Sequence, residues 1–129
     1  MKELKNKKVL FVEDDLFIGE MVSRRMEMAG ASCVWVKDGE EGLVQLKDAE
    51  FDIIITDLMM ARMSGEEMIK KIKADEKLKD IPIVVFSNFV ASKKDAEKIK
   101  KLGIDEIFVK SNIPLRNFIE RLAEILNNK

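Results

Sequence analysis

Five short apolar runs, Val9 to Val12, Cys33 to Val36, Ile53 to Thr56, Ile83 to Phe86 and Ile107 to Val109, alternate with five longer segments of helical period. The runs are mostly β-branched or aromatic and too short for helices, so each predicts a strand. A strand–helix alternation repeated five times demands parallel strands joined by right-handed crossovers, with helices on both faces of one sheet. The third and fourth runs are uninterrupted by polar residues, as double coverage requires. The class is therefore α/β, a doubly wound five-stranded parallel sheet with five helices.

The helix boundaries are written in capping chemistry. The first helix is predicted from about Leu16 to Ala29, with Phe17, Met21, Val22 and Met26 on its apolar stripe and Gly30 as its stop. Asp38-Gly39-Glu40-Glu41 and Ser64-Gly65-Glu66-Glu67 open the second and third as capping boxes, where an N-cap oxygen and a glutamate three residues on satisfy orphan amides. The fourth follows Ser92 and ends near Gly103, and the fifth begins around Asn112-Ile113-Pro114 and carries Phe118, Ile119, Leu122 and Ile125. Met21, Met26 and Met68 fit core filler, and the lysines of Lys70-Lys71, Lys93-Lys94 and Lys98 to Lys101 fit solvated helix faces.

With 129 residues, 47% of them hydrophobic, the chain is expected to form a single domain over 1–129. Such a domain buries roughly two-thirds of its unfolded surface. The 23 basic and 24 acidic residues leave a net charge of -1, so no global field draws nucleic acid or an anionic membrane, and neither is an expected partner. No apolar run approaches membrane-spanning length and no signal-peptide stretch follows the charged start, which predicts a cytoplasmic protein. Cys33 has no second cysteine to pair with; it suits a reducing compartment and is expected as a small buried hydrophobe. The chain lacks histidine, which removes histidine-based triads and metal clusters and means that it holds no phosphohistidine of its own.

Chemistry-bearing side chains gather at one end of the strands. Glu13-Asp14-Asp15 follows the first, Asp57 the third, Ser87 the fourth and Lys110 the fifth. Each has a plain alternative, since Asp14 or Asp15 suffices as a helix cap, Ser87 as a loop hydroxyl and Lys110 as a surface lysine. Their joint placement argues otherwise, because the carboxyl edge is where open α/β sheets build their sites. Converging carboxylates repel unless a hard cation such as Mg²⁺ sits among them. An ammonium, a hydroxyl and a divalent cation around one carboxylate make a pocket for a dianion bonded to that carboxylate.

Val12-Glu13-Asp14-Asp15, Asp57-Leu58-Met59-Met60 followed by Gly65, Ile81-Pro82-Ile83-Val84-Val85-Phe86-Ser87 and Phe108-Val109-Lys110 occur in this order at domain spacing. In these four motifs the chain resembles the response-regulator receiver domains of two-component signalling, over essentially its whole length. The resemblance implies a flavodoxin-like sheet of order 2-1-3-4-5. It also implies Asp57 as phospho-acceptor, Mg²⁺ held by Asp14, Asp57 and the backbone carbonyl of Met59 with Glu13 acting through coordinated water, Ser87 as switch hydroxyl and Lys110 as the cation that pairs with the phosphoryl group. The implied donor is a sensor histidine kinase or a histidine phosphotransfer protein, and the implied output is contact with a downstream protein, with no enzymatic turnover beyond the domain's own phosphorylation and dephosphorylation.

Three positions depart from that family's pattern. Ile107 stands where an aromatic switch residue is usual, and Phe108 points to the other side of the strand because one step reverses the side chain. Ser111 replaces the usual proline after the lysine, which predicts a trans Lys110–Ser111 bond, since a cis bond before a non-proline costs about 2.5 to 4 kcal/mol. Ala61 stands where proline is common. Among other classes, an aspartyl-phosphate hydrolase usually has two aspartates one residue apart after the first strand, where this chain has Glu13 in the first place. A nucleotide binder needs a hydroxyl- or glycine-rich loop there, and the acids would repel phosphate. The rival that survives is a degenerate receiver acting as an unphosphorylated interaction module.

Overall fold

The computed structural model describes residues 3–90 and 92–127. Met1, Lys2, Ala91, Asn128 and Lys129 lie outside the described residues. The elements run β1 (Lys8–Val12), α1 (Leu16–Met28), β2 (Ser32–Val36), α2 (Gly39–Asp48), β3 (Ile53–Thr56), α3 (Gly65–Lys73), β4 (Ile83–Phe86), α4 (Lys93–Lys100), β5 (Glu106–Phe108) and α5 (Leu115–Asn127), with a 3-10 turn over Lys110–Asn112. All strand pairs are parallel, in the order β2-β1-β3-β4-β5. This is the flavodoxin-like arrangement expected from the sequence.

Alternation along the strands sorts the core into two layers. Val9, Phe11, Ile53, Ile55, Val84, Phe86 and Phe108 pack with Val22 and Met26 of α1 and Phe118, Ile119 and Leu122 of α5. On the other face Leu10, Val12, Ile54, Ile83 and Val85 meet Leu46 of α2, Met68, Ile69 and Ile72 of α3, and Ile99 of α4. Ile107 packs with this second layer while Phe108 packs with the first, so adjacent residues of β5 do face opposite ways. Phe108 lies edge-on to Phe118, which stacks on Phe86 at 4.5 Å between centroids.

The N-cap oxygens are as the sequence indicates, while Glu41 Oε1 accepts from the Lys37 amide rather than from the amide of the N-cap residue Asp38. Asp15, Asp38, Ser64 and Ser92 accept from the amides of Ile18, Glu41, Glu67 and Asp95. The structure corrects the reading of the first helix, because Phe17 and Met21 are exposed. The buried stripe of α1 is Gly19, Val22 and Met26, shifted so that Gly19 rather than a larger side chain meets the sheet. Leu4, within a stretch that reads only as charged, is buried and ties its amide to Ala29 O at 2.8 Å. Pro114 stands just ahead of α5, its carbonyl accepting from the Phe118 amide. Cys33 is half-buried, with its thiol pushed up to about 12 by burial and then by Glu27, which favours the protonated form.

Candidate functional site

β1 and β3 are neighbours paired in register, Val12 beside Thr56, so the residues that follow them, Glu13 and Asp57, emerge side by side at the carboxyl edge. The Asp57 amide donates to Val12 O at 3.1 Å, and the Glu13 amide donates to Val36 O at 2.9 Å. Both acids are buried, whereas Asp14 is exposed. Carboxylate oxygens of Glu13, Asp14 and Asp57 lie within 4.8 Å of one another.

Lys110 enters from the far side of the sheet. The Ser87 amide donates to Phe108 O, which holds the ends of β4 and β5 together, and the 3-10 turn after β5 then aims the lysine inward. Its Nζ lies 2.7 Å from Asp57 Oδ2 and 2.6 Å from Glu13 Oε1. The other Asp57 oxygen, Oδ1, accepts from the Leu58 amide at 2.7 Å. No cis peptide occurs among the described residues, so the Lys110–Ser111 bond is trans as expected and the lysine still reaches Asp57. Gly65 lets α3 start against this loop, since a Cβ there would lie 1.9 Å from the Asp57 carbonyl oxygen.

The electrostatics favour one more cation. Burial raises the pKa of Glu13, and Lys110 and the Asp15 amide offset this only in part. Burial also works against the Lys110 charge, but Asp57 and then Glu13 outweigh it, so its pKa is raised and it stays an ammonium. Glu13 Oε1 is fully buried and, beyond its ion pair with Lys110 at 2.6 Å, has no other donor among the described residues. Two buried carboxylates and an exposed third, against one ammonium, form an oxygen-only donor set with an unsatisfied acceptor. That set fits a small hard cation whose oxygen ligands lie at about 2.0 to 2.1 Å, some of them water.

Of the residues singled out in the sequence, the structure brings Glu13, Asp14, Asp57 and Lys110 into one cluster. Ser87 is buried at the end of β4 with its Oγ accepting from the Phe89 amide at 3.1 Å. Met59 lies two residues beyond Asp57, exposed, and with Phe89 lines a cavity of about 310 Å³ beside α4. Two features were missed. The Trp35 indole Nε1 donates to Glu13 O at 2.8 Å. Arg62, at positive φ, joins the loop after β3 to α2 through Asp38 at 2.6 Å and Glu41 at 3.3 Å. Neither has a sequence signal, because each joins residues more than twenty positions apart without a motif.

A doubly wound sheet of this order, with acids and a lysine converging at its carboxyl edge, is the arrangement of the receiver class. The family model of the response regulator receiver domain matches residues 9–123, and the chain belongs to that family. It is 32% identical over 122 residues to the phosphate regulon transcriptional regulatory protein PhoB of Pseudomonas aeruginosa, covering 93% of this chain and 52% of that protein, so it spans about half of that relative. It is 30% identical to the polar-differentiation response regulator DivK of Brucella ovis, over 95% of this chain and 98% of that one. Its structure is similar to the chemotaxis response regulator CheY4 of Vibrio cholerae, with a TM-score of 0.85 and 29% identity over 94% of this chain and 99% of that chain. Among the described residues no helix is long and apolar enough to cross a membrane.

Proposed function

We propose that the chain accepts a phosphoryl group on Asp57 from the phosphohistidine of a sensor histidine kinase or phosphotransfer protein, and signals the change by contact with a downstream protein. The observation that carries this reading is Lys110 Nζ seated 2.7 Å from Asp57 Oδ2 within a buried acidic cluster. An Asp57 oxygen attacks phosphorus in line, the new O–P bond forms as the N–P bond of the donor breaks, and the leaving imidazole takes up a proton. Lys110 offsets charge on the transferring oxygens, and the Leu58 amide orients the carboxylate through Oδ1. Asp14, Asp57 and the Met59 carbonyl would hold Mg²⁺, with Glu13 acting through water, and the ion would supply charge neutralisation at the phosphoryl oxygens.

In this reading Ser87, buried and with its carbonyl accepting from the Lys110 amide, donates its hydroxyl to a phosphoryl oxygen once Asp57 is modified. Ile107 packs with the second core layer and supplies no aromatic ring for that response. The test is incubation with acetyl phosphate and Mg²⁺ followed by intact-mass measurement. The expected result is a gain of one phosphoryl group that depends on Mg²⁺. No gain with acetyl phosphate or with a phosphorylated histidine donor would establish the unphosphorylated interaction module instead.

A further inference from the structure

Beyond the carboxyl end of β2, Lys37 and Asp38 lead into α2, with Asp38 as its N-cap, yet β2 itself reaches the cluster through an indole. β1 ends at Val12, paired with Val36, and the chain beyond β2 turns away into α2, so the ladder provides no continuing strand for the Glu13 carbonyl. Trp35 Nε1–H fills that place at 2.8 Å. With the Glu13 amide bound to Val36 O, neighbouring residues of β2 hold the backbone on both sides of the Glu13 Cα. The ring itself is confined by α1, because a Cβ at Gly19 would lie 2.0 Å from its Cζ2. From the same helix start, the Asp15 amide donates to Glu13 Oε2 at 3.1 Å.

We propose that Trp35, the chain's one tryptophan, is a positioning residue that sets the Glu13 backbone so that the acidic cluster takes up its divalent cation; this rests on the reading of the cluster as a Mg²⁺ site. A ring that merely fills space beneath α1 needs no N–H. The N–H is the group that bonds Glu13, and a peptide left free to rotate there moves the buried carboxylate that acts on the cation through water. Outer groups that orient ligands in this way typically change metal affinity measurably when removed.

Because the tryptophan is unique, biosynthetic replacement by benzothienylalanine removes the N–H at one site while keeping the bicyclic shape, and 7-azatryptophan restores it. Isothermal titration with MgCl₂ is expected to give a dissociation constant about fivefold weaker for the benzothienylalanine protein, in keeping with one hydrogen bond, and near the wild-type value for the azatryptophan protein. Gly19→Ala, which displaces the ring, should weaken binding in the same direction, with circular dichroism checking its fold. Unchanged Mg²⁺ affinity in the benzothienylalanine protein, whatever its thermal midpoint, would overturn the positioning role and leave the cation site standing. Wild-type protein that takes up no Mg²⁺ would overturn the cation site, and the positioning role with it.

Discussion

At the carboxyl edge of the sheet the buried polar residues Glu13, Asp38, Thr56, Asp57 and Ser87 all lie at, or within two residues of, the end of a strand. At the amino edge the acids are set in water. Asp48, Glu50, Asp52 and Asp75 line an open groove of about 820 Å³, and Asp52 accepts from the Lys8 amide while Lys8 Nζ lies over the Phe51 ring. Both edges come from the same five strands and carry similar residue types. Burial separates them, since an exposed carboxylate costs little whereas one taken from water must be compensated by partners. Charge kept in a dry place at one edge only is the physical mark of where the chemistry is.

The largest expected difference between the two edges is in phosphoryl transfer. Asp57→Asn is expected to abolish the mass gain with acetyl phosphate and Mg²⁺, while Asp52→Asn at the amino edge leaves it unchanged. A phosphoryl adduct persisting on the Asp57→Asn protein would remove Asp57 as the acceptor.

Next in size is the cost of the buried charge itself. Burial holds the Glu13 pKa above its ordinary value, against the opposing pull of Lys110. The folded protein therefore binds this proton more tightly than the unfolded chain does. Its stabilising effect is present below the unfolded value of about 4.3 and is lost as pH rises through the folded value. At neutral pH the metal-free protein carries the penalty, so Glu13→Gln should raise its thermal midpoint by a few degrees, corresponding to roughly 1 kcal/mol. The same change should weaken Mg²⁺ binding by about tenfold or more. A lower midpoint in metal-free Glu13→Gln protein would show that the ion pair with Lys110 outweighs burial.

A smaller effect is expected at the rim. Met59 and Phe89, both exposed, line the 310 Å³ cavity beside the loop that carries Asp57. Apolar side chains there exclude water without orienting it, so a phosphorylated state should decay slowly. Met59→Asn with Phe89→Glu should speed the loss of phosphate several-fold, followed by intact mass over time after removal of the donor. Equal decay rates would show that water access at this rim does not limit hydrolysis.

The strands and caps were legible in the sequence because both are local. β-branched runs give the strands, and an N-cap followed by an acid three residues on gives α2, α3 and α4. The acids and Lys110 were legible because each stands just beyond a strand. The α1 stripe was misread for a physical reason, since Phe17 and Met21 fit a helical period as well as the true face does. The Trp35 ring needs Gly19 opposite it, and that decides which face turns inward. Trp35 to Glu13 and Arg62 to Asp38 are contacts between loops and strand ends, set by tertiary geometry and invisible to any periodicity.

The smallest expected effect is also at the carboxyl edge, at Asp38, a buried acid whose partner stands in water. Burial alone would raise its pKa, but the Glu41 amide and then Arg62 lower it below the ordinary carboxylate range. A depressed carboxyl stabilises the fold above its unfolded value of about 3.9, and that contribution is lost as pH falls through the lower folded value. Because the Arg62 side chain is 63% exposed, solvent screens the pair. Asp38→Asn keeps a competent N-cap for α2 and removes only the charge. Thermal unfolding at pH 7 should then show a loss of at most about 1 kcal/mol, shrinking to nothing once the pH has fallen through the depressed folded value of Asp38, where both proteins present a neutral side chain. A loss that stays the same size in acid would trace the effect to cap geometry instead, and the ion pair with Arg62 would not be what holds the loop after β3 against α2.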